Sequence, residues 1–314
     1  MNGGLPNKKN WTILVVDDEE EMRSLIADFL SDDEGYTVLT AQHGRDALDN
    51  VLGKHKVDLV LSDINMPVMR GFELLNEVRR LYPEIKRVLI TAYNVEDYIE
   101  MASKYDIGNI FVKTTPFNFE ELTTVLHSLL TEDVFGIERY FDAACPTQRI
   151  SVKRGDMIDE NVRKIVGFLP PAVVQRKLNL VLVEILTNAI FYGIRKEDPD
   201  KKELWNYDFE LSDKEAIEVT AAHDDKKYAI SIADNGGRLE KKEVLYWLHR
   251  QVARDASGMP LGLNDTHGRG FFIARRYIDR LIINIARGRK TEIVIINYTG
   301  EVYQGSKPLY INEL

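Results

Sequence analysis

The sequence predicts an α/β domain followed by an α+β domain. Through the first 131 residues, short apolar runs alternate with amphipathic segments, as in the β-α units of a doubly wound parallel sheet. After residue 146, helical patterns come first and mostly antiparallel strand patterns follow, which predicts a two-layer α+β sandwich. A chain of 314 residues is long enough to bury a core in each of two domains.

The first domain is predicted from five β-α units of regular length. Residues 1–10 are expected to be a flexible tail, and the domain itself to span 11–131. Residues 132–146 are expected to form a structured connector, because they lack the Gly, Ser and Pro richness of a loose linker. The predicted strands lie near Thr12–Val16, Val38–Thr40, Asp58–Ser62, Arg87–Thr91 and Asn109–Val112, and the helices near Glu20–Leu30, Gly44–Leu52, Gly71–Leu81, Val95–Lys104 and Phe117–Leu130.

The second domain is predicted to span residues 147–314. A long polar stretch, Gly236–Thr266, is expected to be irregular, and a helix begins near Gly270. The other predicted elements are helices near Met157–Phe168 and Ala172–Gly193 and strands near Ala216–Ala222, Lys227–Ala233, Leu281–Ala286 and Thr291–Tyr298.

Composition narrows the class of protein. With 44% hydrophobic and 29% charged residues, the chain has the composition of a soluble globular protein. A net charge of -9 argues against direct DNA binding, which needs a basic face. Cys145 is the only cysteine, so no intrachain disulfide can form, which fits a reducing cytosol. No signal peptide and no run of about 18 apolar residues is recognised, so a cytoplasmic protein without a membrane span is expected.

Five polar residues follow the predicted strands of the first domain. In a parallel sheet, side chains at the carboxyl ends of the strands converge on one crevice. Three carboxylates, a hydroxyl and an ammonium in one crevice predict a magnesium-assisted phosphoryl-acceptor site. The five residues are Asp17, Asp18, Asp63, Thr91 and Lys113.

Each of these residues has a predicted task in that chemistry. Asp63 is the candidate nucleophile. Asp17 and Asp18 would hold Mg²⁺ together with Asp63 and the backbone carbonyl of Asn65, since Mg²⁺ prefers oxygen ligands. Lys113 would pair with the phosphoryl oxygens as a point charge. The hydroxyl of Thr91 would donate a hydrogen bond to the same oxygens.

Residues 11–131 resemble the receiver domain of bacterial two-component response regulators, which has a flavodoxin-like fold. The segment Asp63–Gly71, DINMPVMRG, is very similar to the segment around the phosphorylated Asp of that family, and Thr91-Ala92 resembles its switch hydroxyl and small neighbour. The resemblance implies phosphorylation by a sensor histidine kinase. Two features depart from the family: Thr114-Thr115 separate Lys113 from the usual proline, and Ile110 stands where an aromatic switch residue is expected.

A second constellation begins on the predicted helix of the second domain. Glu184 and Asn188 are four residues apart, so they share one face of a strongly apolar helix. Burying them unpaired costs on the order of 1–3 kcal/mol each, so they belong either to a satisfied core network or to a polar pocket. Two later segments favour the pocket: Asp234-Asn235-Gly236-Gly237 after a strand, and Gly268-Arg269-Gly270 at a helix start, where backbone N–H groups can approach phosphate.

This order of motifs over about residues 147–298 resembles the GHKL ATPase fold, and most closely its anti-sigma-factor serine kinase branch. The resemblance implies ATP and Mg²⁺ as ligands and Arg238–His267 as a mobile lid. Arg238 stands where the family often has a second glycine. The implied roles are Asn188 as magnesium ligand, Glu184 as general base, Asp234 as acceptor for the adenine amino group, Gly236 in the first glycine box, Gly268 and Gly270 in the second, and Thr291 near the base.

Three functions remain open from the sequence. The leading one is a response regulator whose ATP-binding output domain binds a sigma factor or its STAS-type antagonist, or phosphorylates a Ser/Thr of the antagonist. The second is a pure binding module, which Arg238 favours. The third is a hybrid histidine kinase. It is disfavoured because such a kinase needs a phosphorylatable His on a helical hairpin before the ATP domain, and this chain has no His between Pro146 and Leu178. Both resembling families self-associate, so a homodimer also stays open.

Overall fold

The chain forms two compact units in the computed structural model. Unit 1 consists of Met1–Asn94 and Asn109–Asp133, and unit 2 consists of Val95–Gly108 and Val134–Leu314. The predicted flexible tail, residues 1–10, lies outside the described residues, so it stays a prediction, as do the domain boundaries. The structure describes residues 11–141, 144–170, 176–198, 201, 204–259, 261–262, 265, 268, 270–299 and 306–314.

Unit 1 contains the predicted five-stranded parallel sheet, with strand order β2-β1-β3-β4-β5. The central strand is buried at all five positions, as expected when helices cover both faces of a parallel sheet. The receiver-type α/β fold is therefore confirmed for this unit. The strands are β1 (Thr12–Val16), β2 (Thr37–Ala41), β3 (Leu59–Asp63), β4 (Lys86–Thr91) and β5 (Asn109–Val112).

The predicted helices follow the strands of this sheet. The fourth of them, between β4 and β5, falls in unit 2, where a 3₁₀ turn (Val95–Tyr98) leads into it. The fifth is capped by Asn118, whose Oδ1 accepts a hydrogen bond from Glu121 N at 3.0 Å. The helices are α1 (Glu20–Asp28, extended by a π-helical turn Phe29–Asp33), α2 (Gly44–Asp46, extended by a π-helical turn Ala47–Val51), α3 (Gly71–Leu81), α4 (Ile99–Tyr105) and α5 (Phe119–Thr131).

Unit 2 is built on a mostly antiparallel sheet with strand order β11-β9-β10-β8-β7-β6. Only β11 and β9 run parallel, and the other neighbours are antiparallel. The strands are β6 (Thr147–Val152), β7 (Ile217–His223), β8 (Lys227–Asp234), β9 (Arg280–Ala286), β10 (Lys290–Tyr298) and β11 (Leu309–Glu313).

The other helices of unit 2 are α6 (Ile158–Phe168), α7 (Arg176–Asn188, extended by a π-helical turn Ala189–Ile194), α8 (Lys241–Val252) and α9 (Gly270–Tyr277). Helix α7 packs against α6 and α9, and α8 packs against α9 and α4. By length and composition the stretch Lys177–Ile194 could cross a membrane, contrary to the expectation of no such stretch. Half of it is buried within the fold, as in the core helix of a globular domain.

Three elements of unit 2 differ from the prediction. Helix α8 lies inside the stretch predicted to be irregular, because Val244, Leu245 and Leu248 give it a buried face among polar neighbours. Strand β6 was missed because its exposed and half-exposed side chains lack an apolar run, as is common at a sheet edge. The short final strand β11 was also missed.

Candidate functional site

In unit 1, Lys113 joins two of the predicted carboxylates. Its Nζ lies 2.8 Å from Asp17 Oδ2 and 2.7 Å from Asp63 Oδ1, and its side chain is only 7% exposed. Asp17 follows β1, Asp63 ends β3 and Lys113 follows β5, so the parallel sheet brings together residues far apart in sequence.

Burial and the neighbouring charges shift the pKa values of Asp63 and Lys113. Burial raises the pKa of the Asp63 carboxyl, and the Lys113 charge and hydrogen bonds offset only part of that effect. Burial also works to lower the pKa of the Lys113 ammonium, but the attraction of Asp63 and Asp17 outweighs it and the pKa is raised. The ammonium is therefore charged at neutral pH, ready to meet an anionic group.

The remaining predicted residues surround Asp63 or follow its neighbouring strand. Asn65 N donates to Asp63 Oδ2 at 2.6 Å, which fixes the turn after β3. Thr91 is buried at the end of β4, and its Oγ1 accepts a hydrogen bond from Tyr93 N at 3.1 Å. Asp18 is exposed beside the buried Asp17. The acceptor residues thus occupy one edge of the sheet.

The donor set fits a magnesium ion. Three carboxylates, Asp17, Asp18 and Asp63, stand against one ammonium, so a divalent cation would balance the remaining charge. The two carboxylates that share Lys113 Nζ both reach one point, and carboxylate oxygens are the ligands that Mg²⁺ prefers. Within the described residues, no group of three or more His, Cys, Asp or Glu side chains is arranged to hold a metal ion, and Lys113 stands between Asp17 and Asp63 in this structure.

The two departures from the receiver pattern lie on and after β5. Ile110 and Phe111 are both buried, and the Phe111 ring centroid is 5.6 Å from that of Phe117. The Thr115–Pro116 peptide bond is cis, and Thr114 Oγ1 donates to Pro116 O at 2.6 Å. An aromatic side chain is therefore present in this strand, but it points into the core.

In unit 2, a cavity of about 360 Å³ lies between the sheet and helices α7, α8 and α9. Its volume is within the range of small-molecule sites. Five residues predicted for nucleotide binding line it: Asn188, Asp234, Gly268, Gly270 and Thr291.

Asp234 and Thr291 form the sheet side of this cavity. Burial raises the pKa of Asp234 to about 6, although its Oδ1 accepts hydrogen bonds from Gly236 N at 2.9 Å and Gly237 N at 3.3 Å. Thr291 is 5% exposed, and its Oγ1 has no hydrogen-bond partner among the described residues. A buried hydroxyl without a partner at a cavity wall is a candidate ligand contact.

Helix α9 approaches α7 closely at its first residue. A Cβ on Gly270 would lie 2.8 Å from Glu184 Cγ and 3.1 Å from Asn188 Nδ2, so only glycine permits this approach. Gly236 has no room for a side chain, because a Cβ there would lie 2.1 Å from the carbonyl oxygen of Gly193. The predicted residues Glu184 and Gly236 thus contact the residues that line the cavity.

Several lining residues were not predicted as site residues, and four of them are polar or aromatic side chains on or near α7 and α8. Glu243 and Trp247 come from α8, Tyr192 and Glu197 from the end of α7 and the loop after it. The apolar periodicity of α8 could have revealed its helix, and the i, i+4 spacing from Asn188 could have included Tyr192. Arg238 also lines the cavity, and its Nη1 donates to Tyr192 O at 3.0 Å.

The sheet and acidic crevice of unit 1 define a phosphoryl-acceptor domain of the receiver type. Residues 13–127 match the family described as the response regulator receiver domain. Sporulation initiation phosphotransferase F of Bacillus subtilis (strain 168) is 32% identical over 121 residues, which cover 38% of this chain and 94% of that protein. The chain therefore belongs to the receiver-domain family through this segment. Receiver domains bind Mg²⁺ for phosphorylation and interact with sensor histidine kinases.

Other relatives are much longer proteins. The autoinducer 1 sensor kinase/phosphatase LuxN of Vibrio campbellii is 33% identical over 109 residues, covering 35% of this chain and 13% of the relative. The sensor histidine kinase RcsC of Salmonella typhimurium is 49% identical over 80 residues, covering 26% of this chain and 8% of the relative. This chain therefore spans only a small part of either kinase.

Among solved structures, the response regulator protein TrrA from Thermotoga maritima, in complex with Mg²⁺ and BeF, has 36% sequence identity. The match covers 38% of this chain and 97% of TrrA, with a TM-score of 0.34.

Proposed function

We propose that this chain is a response regulator in which phosphorylation of Asp63 controls a GHKL-type, ATP-binding output domain. The observation that carries the proposal is the cavity of unit 2. It is lined by residues from three separate motifs, Asn188, Asp234 and Gly268 among them, that the sequence marks as a nucleotide site. The buried Lys113–Asp63 pair supports the input half of the same proposal.

The input step is a phosphoryl transfer onto Asp63. An oxygen of its carboxylate attacks the phosphorus of a phosphohistidine on a sensor kinase, the N–P bond breaks and an O–P bond forms. Lys113 already lies 2.7 Å from Asp63 Oδ1 and would turn to the phosphoryl oxygens. Mg²⁺, held by Asp17, Asp18 and Asp63 with the Asn65 carbonyl, would offset the charge of the incoming group. Thr91 would leave its bond with Tyr93 N to donate to the phosphoryl group.

The output site would hold ATP in the cavity of unit 2. Asp234 would accept a hydrogen bond from the adenine amino group, and the unpartnered hydroxyl of Thr291 lies directly across the strand pair from it. Asn188 would be a ligand of the nucleotide's Mg²⁺. Gly268 and Gly270, at the start of α9, would bring backbone N–H groups to the phosphates.

The partner of the output unit would be a sigma factor or a STAS-type antagonist. In the kinase form of the proposal, Glu184 takes the proton from a Ser or Thr hydroxyl of the antagonist as that oxygen attacks the γ-phosphorus of ATP. The bond between the γ-phosphorus and the β–γ bridging oxygen breaks, and ADP leaves. Positioning and charge neutralisation would supply most of the catalysis. We place this activity in the cytoplasm.

A binding module without catalysis is the second candidate. Arg238 favours it, because this residue stands where the GHKL family often has glycine and its side chain lines the cavity. In that case ATP, or no nucleotide, sets the shape of the output unit, and partner binding alone transmits the signal.

The test is a pull-down with mass spectrometry, performed with and without beryllofluoride as a phosphoryl mimic at Asp63. ATP transfer to every captured protein is then measured. The proposal expects at least one partner whose capture depends on beryllofluoride in the wild type and not in Asp63→Asn. Transfer to a captured protein supports the kinase, and capture without transfer supports the binding module. If capture is identical in all four samples, the signalling function is wrong.

A further inference from the structure

Four exposed cationic side chains of unit 2 have no anionic partner. None of the four forms an ion pair with another side chain in the part of the chain that the structure describes. Two acidic residues beside them in sequence are engaged elsewhere. Arg195 Nη2 donates to Glu197 Oε1 at 2.8 Å. Asp213 pairs with Lys153. The four cations are Lys196, Lys214, Arg238 and Arg289.

The segments that carry these cations meet at the first glycine loop, Asp234–Arg238. A Cβ on Gly237 would lie 2.2 Å from Arg289 N, so the turn between β9 and β10 touches the loop. Asn235 Nδ2 donates to Lys214 O at 3.2 Å, which brings the turn before β7 to the same loop. Three of the four cations therefore lie on or beside one short piece of backbone.

The end of helix α7 reaches this loop as well. Arg238 Nη1 donates to Tyr192 O at 3.0 Å, and the backbone oxygen of Gly193 packs closely on Gly236. Lys196 follows Gly193 by three residues, and its side chain is exposed. The fourth cation thus comes from the segment on which the loop packs.

The four cations form a cationic rim at one end of the cavity. Arg238 itself lines the cavity. Lys196 precedes the lining residue Glu197, and Arg289 lies two residues before the lining residue Thr291. The net charge of the chain is -9, so a group of unpaired positive charges contrasts with the rest of the molecule.

The rim lies at the end of the cavity where the uncharged base is proposed. A Cβ on Gly193 would lie 2.9 Å from Asp234 Cγ, so this end of α7 adjoins the proposed adenine contact. The proposed phosphate end is at Gly270, which approaches Asn188. Five helical residues lead from Asn188 to Gly193, a rise of about 7.5 Å. The triphosphate is therefore not the anion that the rim is placed to meet.

A protein segment rich in Asp and Glu suits the rim better than a nucleic acid. Exposed guanidinium and ammonium groups attract carboxylates of a partner, which raises the association rate and fixes the partner's orientation. A nucleic acid carries a charge on every nucleotide, and most of its charges would meet the acidic surface of a chain whose net charge is -9.

We propose that the cationic rim docks an acidic segment of the protein partner of unit 2. This inference rests on the proposed function, in which unit 2 binds a partner, and it names the chemistry of the surface that the partner presents. Because all four side chains are exposed, the attraction acts through water and weakens as salt concentration rises.

The test is fluorescence anisotropy of a labelled polyglutamate peptide with the full chain, with polyglutamine of the same length as the uncharged probe. The rim variant replaces all four cations by Gln. We expect the wild type to prefer polyglutamate at about 50 mM salt, and its affinity to fall about tenfold or more in the rim variant. The double variant Lys214→Gln, Arg289→Gln removes half of the charge and should lose about threefold.

A matched control removes the same charge from other places in unit 2. Its four residues are exposed and, like the rim, have no ion pair with another described residue. Its polyglutamate affinity should stay within about twofold of the wild type, because distant exposed charges are screened. The control substitutions are Arg163→Gln, Lys226→Gln, Arg254→Gln and Arg276→Gln.

Three results would overturn the docking role of the rim. In the first, the control variant loses as much affinity as the rim variant, so that binding follows net charge alone. In the second, the wild type binds polyglutamate no better than polyglutamine. In the third, the wild type binds an oligothymidylate of the same length more tightly than polyglutamate, which makes the occupant a nucleic acid.

ATP binding and partner capture are measured in parallel so that the two proposals fail separately. Saturating ATP at matched ionic strength should leave polyglutamate affinity unchanged, and competition between them would make the rim part of the nucleotide site and overturn its docking role. A wild type that binds no ATP overturns the proposed output site, and the polyglutamate affinities still decide the rim. Loss of partner capture by the rim variant, with capture retained by the control variant, supports both proposals.

Discussion

Asp234 and Thr291 face each other as partners on the antiparallel strands β8 and β10, and both side chains are about 5% exposed at the wall of one cavity. Between them they present a carboxylate of raised pKa and a hydroxyl without a partner among the described residues. Each of these features has a cost in the absence of a ligand, since buried polar groups without full hydrogen bonding destabilise a fold. The pair is therefore better explained by binding than by stability.

Asp234→Asn is expected to raise the thermal stability of the ligand-free protein at neutral pH. Burial raises the pKa of Asp234 to about 6 from an ordinary value of 3.8, so the folded protein holds a proton that the unfolded chain has already lost. The favourable contribution of this proton to the free energy of unfolding is complete below the pKa of the unfolded chain, 3.8, and is lost as pH rises through about 6. Above that pH, the ionised Asp234 lowers the free energy of unfolding by at most about 3 kcal/mol, and the neutral amide of Asn avoids this loss.

The measurement for Asp234→Asn is a set of thermal unfolding curves between about pH 4 and pH 7.5, the window set by the two pKa values. The melting temperature of the variant should exceed that of the wild type at the highest pH, and the two melting temperatures should become equal at the lowest pH. ATP should no longer raise the melting temperature of the variant. Asp213→Asn is the control, because its exposed carboxylate has a lowered pKa beside Lys153 and no such gain is expected. A variant less stable than wild type at neutral pH contradicts the prediction.

The sequence predicted the five strands of unit 1, because each contains a short apolar run and the site residues lie at or just after the strand ends, but it did not predict that the fourth helix falls in unit 2. Unit 2 was harder to predict. The α8 helix was hidden by charged residues such as Lys241, Lys242 and Glu243, and its buried face has only three apolar positions. Local patterns also could not predict that Asp106 pairs with Lys241, since that contact joins residues 135 positions apart.

Thr291→Val is expected to weaken nucleotide binding without destabilising the empty protein. The hydroxyl has no partner to lose among the described residues, so the apo stability should stay equal or rise by up to about 1 kcal/mol. Affinity for ATP, measured by calorimetry, should fall about fivefold to tenfold if a ligand atom bonds to this hydroxyl. Thr299→Val, which removes a hydroxyl that donates to Asp225 O, serves as the control and should leave ATP affinity unchanged. Unaltered binding by Thr291→Val would place the base elsewhere.

Lys113→Met is expected to destabilise unit 1 strongly at neutral pH. It leaves Asp17 and Asp63 buried with no cation between them, and breaking a buried pair in this way costs about 3 kcal/mol or more. The loss should shrink as pH falls and the Asp63 carboxyl, whose pKa burial raises, gains a proton. Denaturant unfolding measures it, with Lys86→Met as control: that lysine pairs with Glu132 at 2.7 Å but is 31% exposed, so its loss should cost about 1 kcal/mol or less. Equal costs for the two variants would show that the Lys113 cluster is well hydrated.

Glu184→Gln and Asn188→Ala should separate catalysis from binding at the cavity proposed to hold ATP. Both residues approach Gly270, but only the carboxylate can take a proton from an attacking hydroxyl. Glu184→Gln is therefore expected to keep ATP affinity and to lower phosphoryl transfer to a captured partner by about 100-fold or more. Asn188→Ala should weaken ATP binding in the presence of Mg²⁺ and have little effect when EDTA removes the ion. Radiolabelled ATP and calorimetry provide the two readouts. If both variants bind ATP and capture the partner like the wild type, and the wild type itself transfers no phosphate, the output unit works as a binding module.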